Sequence, residues 1–311
     1  MKNETQIQEH TGYSCLNPID SVCIGFDLIC VYLRFQIGFE HETNSGRVVT
    51  QPVTRSIVER ADTCIEVLAQ GSGPLVVMIP SLGRPAGDFD DLSRRLAAAG
   101  FRALRPQPRG IGRSKGPMKD ITLHDFSRDM AAVIESNGGG PAVMCGHAFG
   151  NFVARTTAAD FPHLVKAVVL LAAAHLWPVP PDVRESINKT HHLSLTEEER
   201  IRCMKHAFFA PGNDPRVWLD GWDEEVMLME RAATEATPKP EWWHAGRAPV
   251  LDVQPANDVM TLPASRNRYR DELGADRVTM TLIPNAGHAL LPEQPEAVAR
   301  AVLDYLKRLK Y

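Results

Sequence analysis

The 311-residue sequence has few cysteines, and none is spaced for a metal or redox site. Its six cysteines include no C-x-x-C pair and no cluster with the spacing of a zinc ligand set. A chain of this length can bury a core that needs no disulfide bonds. We therefore expect reduced thiols, no structural metal and a cytoplasmic location.

An excess of positive charge is also lacking. The 34 lysines and arginines are outnumbered by 38 acidic residues, which gives a formal charge of −4. No cluster of basic residues is interleaved with aromatic ones, as is typical of nucleic-acid-binding surfaces. We expect a small-molecule substrate as the partner and no nucleic acid; the sequence does not specify the oligomeric state.

Long uninterrupted hydrophobic runs are absent. Only residues 22–39 approach the length of a membrane span, and Asp27 and Arg34 interrupt them. A charge at mid-bilayer costs about 3 kcal/mol, and the stretch lacks the basic flank and the A-x-A site of a signal peptide. We expect no stable membrane insertion. We interpret residues 1–54 as an N-terminal extension, amphipathic or poorly ordered, with a non-native upstream segment as the alternative.

The sequence has neither a P-loop nor an H-E-x-x-H motif. Gly110 and Gly112 follow a predicted strand, but Gly116 comes one residue late for the dinucleotide motif G-x-G-x-x-G, and no acidic residue follows the next strand. We expect neither a cofactor nor a metal.

From about residue 55 onward, short apolar runs alternate with amphipathic stretches. A continuous apolar run such as Leu75–Pro80 is typical of a strand buried on both faces. The regular alternation predicts the α/β class, with a mostly parallel sheet covered by helices on both faces. Further strands are predicted at 101–106, 142–145, 165–173, 249–254 and 278–283, and helices at 88–99, 123–134, 151–159, 264–272 and 295–309.

The alternation stops between about residues 177 and 245, where no buried strand is apparent. We predict a helical cap inserted into a domain that spans 55–311, because the stretch is too long for an ordinary loop. It contains all five tryptophans, which either cover an apolar substrate or form the core of the cap itself. We favour the second role for most of them, and predict that Trp242 and Trp243 line the pocket. The adjacent His191 and His192 lack a third ligand with metal spacing, and we predict that they lie on the surface.

The segment 143–155 reads VMCGHAFGNFVAR and passes from a predicted strand into a predicted helix. It matches the G-x-S-x-G nucleophile elbow except at its centre, where Ala148 replaces the nucleophile. The glycines at 146 and 150 are suited to a sharp turn that presents the central residue to a ligand. A tight strand-to-helix turn without chemistry would use the same residues.

Two later strands are followed by polar residues. Asp258 comes after the strand at 249–254, and His288 after the strand at 278–283. The carboxyl ends of parallel strands meet at one ligand crevice, so we expect both side chains to lie near Ala148. The order of nucleophile position, acid and histidine is that of a catalytic triad.

From about residue 55 to its end, the chain resembles the α/β-hydrolase fold family. Three further segments carry the resemblance: LVVMIPSLG is similar to the strand and oxyanion turn, RGIGRS to the turn after the next strand, and NAGHALLPEQPEAVARAVLDYL to the histidine loop and closing helix. The resemblance implies that His288 is the catalytic base and Asp258 the acid that orients it.

The resemblance also implies an oxyanion hole, whose donors are backbone N–H groups. The candidates are Phe149, after the nucleophile position, and Leu82, in the turn where Pro80-Ser81 replaces the usual His-Gly. Ser81 is a possible substitute nucleophile, although a serine there commonly bonds to the turn backbone. His147 is expected to pack or orient.

Ala148 leaves three explanations open. The chain is a serine-to-alanine variant; or alanine is native, as in bacterial members of the family with GHAFGN or GHAYGN at the elbow; or the site binds without turnover. We favour native alanine and a cofactor-free, esterase-like hydrolase that acts on a small to medium apolar substrate. The alternatives are a silent ligand-binding protein, a lyase or isomerase with His288 as base, and a variant of a serine esterase.

Overall fold

The computed structural model describes residues 51–173 and 179–311. The predicted extension lies outside this part of the chain, apart from its last four residues, and so does Trp177. No helix in the two described ranges is long and apolar enough to cross a membrane.

Eight strands form the sheet of the described chain, in the order β1-β2-β4-β3-β5-β6-β7-β8. Strands β1 and β2 run antiparallel to their neighbours, and the pairs from β4 to β8 are parallel. The predicted α/β-hydrolase fold class is therefore confirmed. The strands are β1 Val53–Arg60, β2 Thr63–Gln70, β3 Leu75–Ile79, β4 Arg102–Pro106, β5 Ala142–His147, β6 Val165–Leu171, β7 Val250–Pro255 and β8 Val278–Ile283.

Helices cover both faces of the sheet, because the strands at its centre are apolar on both. In β3, Val77 contacts a cluster that includes α2 and α3, whereas Val76 and Met78 contact one that includes α1 and α10. The helices of the described chain are α1 Asp90–Ala98, α2 Leu123–Ser136, α3 Phe149–Asp160, α4 Pro181–His191, α5 Glu197–Ala207, α6 Glu224–Ala236, α7 Lys239–Trp242, α8 Arg268–Leu273, α9 Leu290–Glu293 and α10 Pro295–Arg308.

Between β6 and β7 the chain forms α4 to α7, which we call the helical insertion (described from residue 179 to 249). It has an apolar cluster that includes Phe208, Trp218 and Trp222, together with Met260 and Ala289 from loops after β7 and β8. These tryptophans thus pack within the insertion, and their cluster extends to the loops at the carboxyl ends of the strands.

Candidate active site

The chain turns sharply between β5 and α3, at Ala148. Its φ of 46° and ψ of −108° lie in a region that side-chain-bearing residues rarely adopt. A Cβ at Gly146 would lie 2.2 Å from the Gly150 carbonyl oxygen, and one at Gly150 would lie 2.1 Å from that of Ile79. Only glycine fits at both positions, so the strained turn accounts for the G-x-A-x-G pattern.

His288 and Asp258 are hydrogen-bonded to each other. His288 Nδ1 lies 2.9 Å from Asp258 Oδ2, and both residues are only 5% exposed. Because an ionised carboxylate only accepts, Nδ1 is the donor, and the neutral ring presents a bare Nε2. The other oxygen of Asp258 accepts from the Met260 N–H at 2.9 Å, which fixes the carboxylate. The sequence predicts that these two side chains lie close together, and in the structure they lie within hydrogen-bonding distance.

Ala148, Leu82, Phe149 and His288 line one cavity. Within the described chain, the backbone N–H groups of Leu82 and Phe149 have no hydrogen-bond acceptor. Two unpaired N–H groups on residues that line a cavity can bind an anionic oxygen. Ser81 lines the same cavity, and its hydroxyl has no partner among the described residues, so the expected bond to the turn backbone is not formed.

His147 supports the loop that carries His288. Its Nε2 donates to the His288 carbonyl oxygen at 2.8 Å, and its ring is fully buried. Burial lowers the pKa of His147 to about 3, and the nearby His288 adds to this. His147 therefore stays neutral at physiological pH and orients its neighbour, as we expected.

Arg84 fixes the turn 81–84, a role that the sequence analysis missed. The guanidinium is buried, forms a paired contact with Asp88 at 2.7 and 2.9 Å, and lies over the Trp218 and Trp222 rings. It also donates to the Trp218 and Asp220 carbonyl oxygens in the insertion. In the sequence, nothing around Arg84 indicates these distant partners.

Glu230, on α6, holds the same turn from the other side. Its Oε2 accepts from the Gly83 N–H at 2.7 Å, and its side chain is buried. Burial raises the pKa of Glu230 well above its ordinary value, and Asp223 adds to the effect. The folded chain therefore keeps the proton on this carboxyl to a higher pH than the unfolded chain does.

Replacing Glu230 with glutamine should stabilise the protein increasingly as the pH rises. Glu230 contributes fully to the free energy of unfolding below its unfolded pKa near 4.5, and this contribution is lost as the pH rises toward the higher folded pKa. Glutamine keeps an acceptor for Gly83 but does not titrate. The melting temperatures of native protein and Glu230→Gln should converge near pH 5 and differ by about 3 °C or more at pH 8.

The matched control for this measurement is Glu225→Gln, which changes an exposed glutamate on the same helix. Its melting temperature, plotted against pH, should run parallel to that of the native protein. If the melting temperature of Glu230→Gln also ran parallel to that of the native protein, Glu230 would be ionised in the folded state, which contradicts the raised pKa.

The cavity has a volume of about 280 Å³. Its wall is mostly apolar and is built from both the sheet domain and the helical insertion. Trp222 and Phe208 come from the insertion, and so does His191. The lining residues are Ser81, Leu82, Ala148, Phe149, Asn151, Phe152, Ala172, Val179, Arg184, Ile187, His191, Phe208, Trp222, Arg231, Thr234, Glu235, Met260 and His288.

Trp242 and Trp243 do not line this cavity, which corrects the sequence-based prediction. They pack instead around the buried Arg155, whose guanidinium carbon lies 4.9 and 5.0 Å from their ring centroids. Trp242 also contacts Phe152, which does line the cavity. The two tryptophans therefore stack on a buried cation one layer behind the wall.

His191 corrects a second prediction. It is 1% exposed rather than on the surface, and it packs edge-on against Trp222 with ring centroids 4.6 Å apart. Residues 51–173 and 179–311 contain no group of three His, Cys, Asp or Glu side chains that could hold a metal ion.

A family model described as the alpha/beta hydrolase family matches residues 76–301, which is more than half of the chain. A Mycobacterium tuberculosis protein provisionally named non-heme bromoperoxidase BpoC is 29% identical over 230 residues, covering 68% of this chain and 86% of that one. The 2-(acetamidomethylene)succinate hydrolase of Mesorhizobium japonicum is 31% identical over 107 residues, or 34% of this chain and 38% of that one.

Among solved structures, the esterase EaEST from Exiguobacterium antarcticum has a TM-score of 0.68 at 18% identity, covering 82% of this chain and all of that one. This similarity concerns the fold alone. The family match over residues 76–301 shows that the chain belongs to the alpha/beta hydrolase family, and the sheet order agrees with it.

Proposed function

We propose that the protein is a cofactor-free, esterase-like hydrolase in which water, not a side chain, attacks the substrate. The observation that carries this proposal is the His288–Asp258 hydrogen bond of 2.9 Å, with His288 lining the same cavity as Ala148. A histidine oriented by a buried acid is suited to proton transfer. The alanine methyl group cannot act as a nucleophile, and we assign the attack to water rather than to the nearby Ser81 hydroxyl.

His288 acts as the general base. Its bare Nε2 takes a proton from water as the water oxygen attacks the acyl carbon, and Asp258 stabilises the imidazolium that results. The tetrahedral intermediate collapses, the bond from the acyl carbon to the leaving oxygen breaks, and His288 returns the proton to that oxygen. One water is consumed, and an acid and an alcohol are formed.

The N–H groups of Leu82 and Phe149 bind the oxygen that becomes negative in the intermediate. Their lack of acceptors in the described chain supports this role. Such preorganised donors each contribute about 10²–10³-fold to the rate. Arg84 and Glu230 keep the turn that carries Leu82 in place, and are positioning residues.

The helical insertion acts as the cap of the site, and the substrate is small to medium and largely apolar where it meets the wall. Aromatic and aliphatic side chains from both parts of the chain support this, as does the volume of about 280 Å³, which is close to the lower end for small-molecule sites. Phe152, Phe208, Trp222 and Met260 are the apolar residues that we assign to substrate binding.

One observation favours a second function, namely a ligand-binding protein without turnover. Ala148 removes the covalent step, and loss of a triad nucleophile leaves only about 10³–10⁴-fold catalysis over water. A ligand would then bind in the same cavity and leave unchanged.

A panel of short-chain aryl esters incubated with the purified protein separates the two functions. Release of acid and alcohol in equal amounts supports the hydrolase. No release, with a melting temperature that still rises when the product acids are added, supports the binding protein. Conversion without uptake of water would indicate a lyase or an isomerase with His288 as the base.

A further inference from the structure

Two arginines of the helical insertion line the cavity. Arg184 lies on α4 and is exposed, whereas Arg231 lies on α6 and is half-buried. Within the described chain, neither forms an ion pair, and Arg231 donates only to the neutral Asn188 Oδ1 at 3.1 Å. By contrast, the buried Arg84 and Arg109 each have an aspartate within 2.7 Å.

The same wall contains the neutral side chain of His191. Burial lowers the pKa of His191 to about 4, and the positive charge of Arg231 contributes. His191 Nδ1 lies 2.8 Å from the Ile187 carbonyl oxygen, to which it can only donate. Its Nε2 is buried and has no hydrogen-bond partner among the residues that the structure describes. This nitrogen only accepts, so its partner is a donor, such as a water that also donates to a bound carboxylate, and not the carboxylate itself.

The charges that line the cavity leave an imbalance. Besides the two arginines, the lining includes Glu235, which is exposed, and His288, which is paired with Asp258. Two cations against one anion leave a single positive charge beside an otherwise apolar wall. Such a wall attracts an anionic group, and an arginine guanidinium matches the planar geometry of a carboxylate.

We propose that Arg184 and Arg231 form an anion-binding subsite, and that the substrate carries a free carboxylate in addition to the acyl group that is cleaved. The substrate class is thus a small acid with an apolar chain between its two polar ends. This inference rests on the proposed hydrolase function for the cleavage step, but not for binding.

Binding is measured first, by titration calorimetry with glutarate and with its neutral counterpart glutaramide. We expect glutarate to bind at least 10-fold more tightly to the native protein, and increasingly weakly as the ionic strength rises. Arg231→Gln and Arg184→Gln should each remove most of this difference. The control is Arg202→Gln, which replaces an exposed arginine on α5 that does not line the cavity, and it should leave the difference intact.

Turnover is compared next, on mono-(4-nitrophenyl) glutarate and the neutral 4-nitrophenyl valerate. The ratio of their kcat/KM values should exceed 10 in the native protein and fall about 10-fold in either arginine variant, mainly through KM. Equal binding of glutarate and glutaramide, or a preference that survives both arginine substitutions, overturns the subsite. Arginine-dependent binding of glutarate with no ester cleaved would uphold the subsite and overturn the hydrolase.

Discussion

Replacing His288 with glutamine should lower kcat/KM for a short-chain aryl ester by about 10²–10⁴-fold, the range expected for loss of a general acid–base. Glutamine can still donate a hydrogen bond to Asp258, so the buried carboxylate keeps a partner. It has no lone pair on nitrogen that could take a proton from water. We therefore expect the rate to fall while the free energy of unfolding changes by less than about 1 kcal/mol.

The rate is measured by release of the aryl alcohol, and the folding by urea titration of the same sample. His163→Gln is the control, because His163 is exposed and its ring contact is with Phe161, away from the cavity lining. It should leave both quantities unchanged. An undiminished rate in His288→Gln would mean that His288 and Asp258 are not the catalytic pair.

Ala148→Ser should introduce a covalent step that the native protein lacks. Ala148 already has the positive φ of an elbow and is followed by Phe149, whose N–H has no acceptor among the described residues. A hydroxyl there would meet the base and the oxyanion donors together. We expect a burst of about one aryl alcohol per chain and acylation about 10²-fold or more faster than native turnover.

Ala172→Ser is the matched control. Ala172 also has a positive φ, of 50°, and lines the same cavity, but it follows β6 rather than β5. It should show no burst, and Ala148→Ser combined with His288→Gln should lose its burst. A folded Ala148→Ser protein without a burst would contradict the assignment of the elbow, the base or both.

Much of the sheet could be predicted from sequence, because strands buried on both faces leave continuous apolar runs. The run 75–80 became β3 at Leu75–Ile79, which is buried throughout. The strand predicted at 278–283 became β8 within the same bounds, although β8 is an edge strand with partly exposed residues. Asp258 and His288 could be placed together for a related reason. Each follows the carboxyl end of a parallel strand, and the topology brings those ends to one edge.

The wall of the cavity could not be predicted in this way. Trp242 and Trp243 are adjacent in sequence, and their burial depends on Arg155, almost 90 residues earlier in the chain. His191 ends a helix among charged neighbours, which indicates a surface position, yet Trp222 covers it. Trp242 and Trp243 are buried by a contact between the helical insertion and the sheet domain, and His191 by a contact within the insertion. Neither contact leaves a local sequence pattern.

Direct attack by water on the substrate never places the acyl group on the protein. Intact-mass measurement of the native protein, quenched while it turns over a short-chain aryl ester, tests this. We expect steady release of product with no increase in protein mass, at any time from the first turnover onward. A mass increase equal to the acyl group, located on Ser81 or on any other side chain, would contradict it.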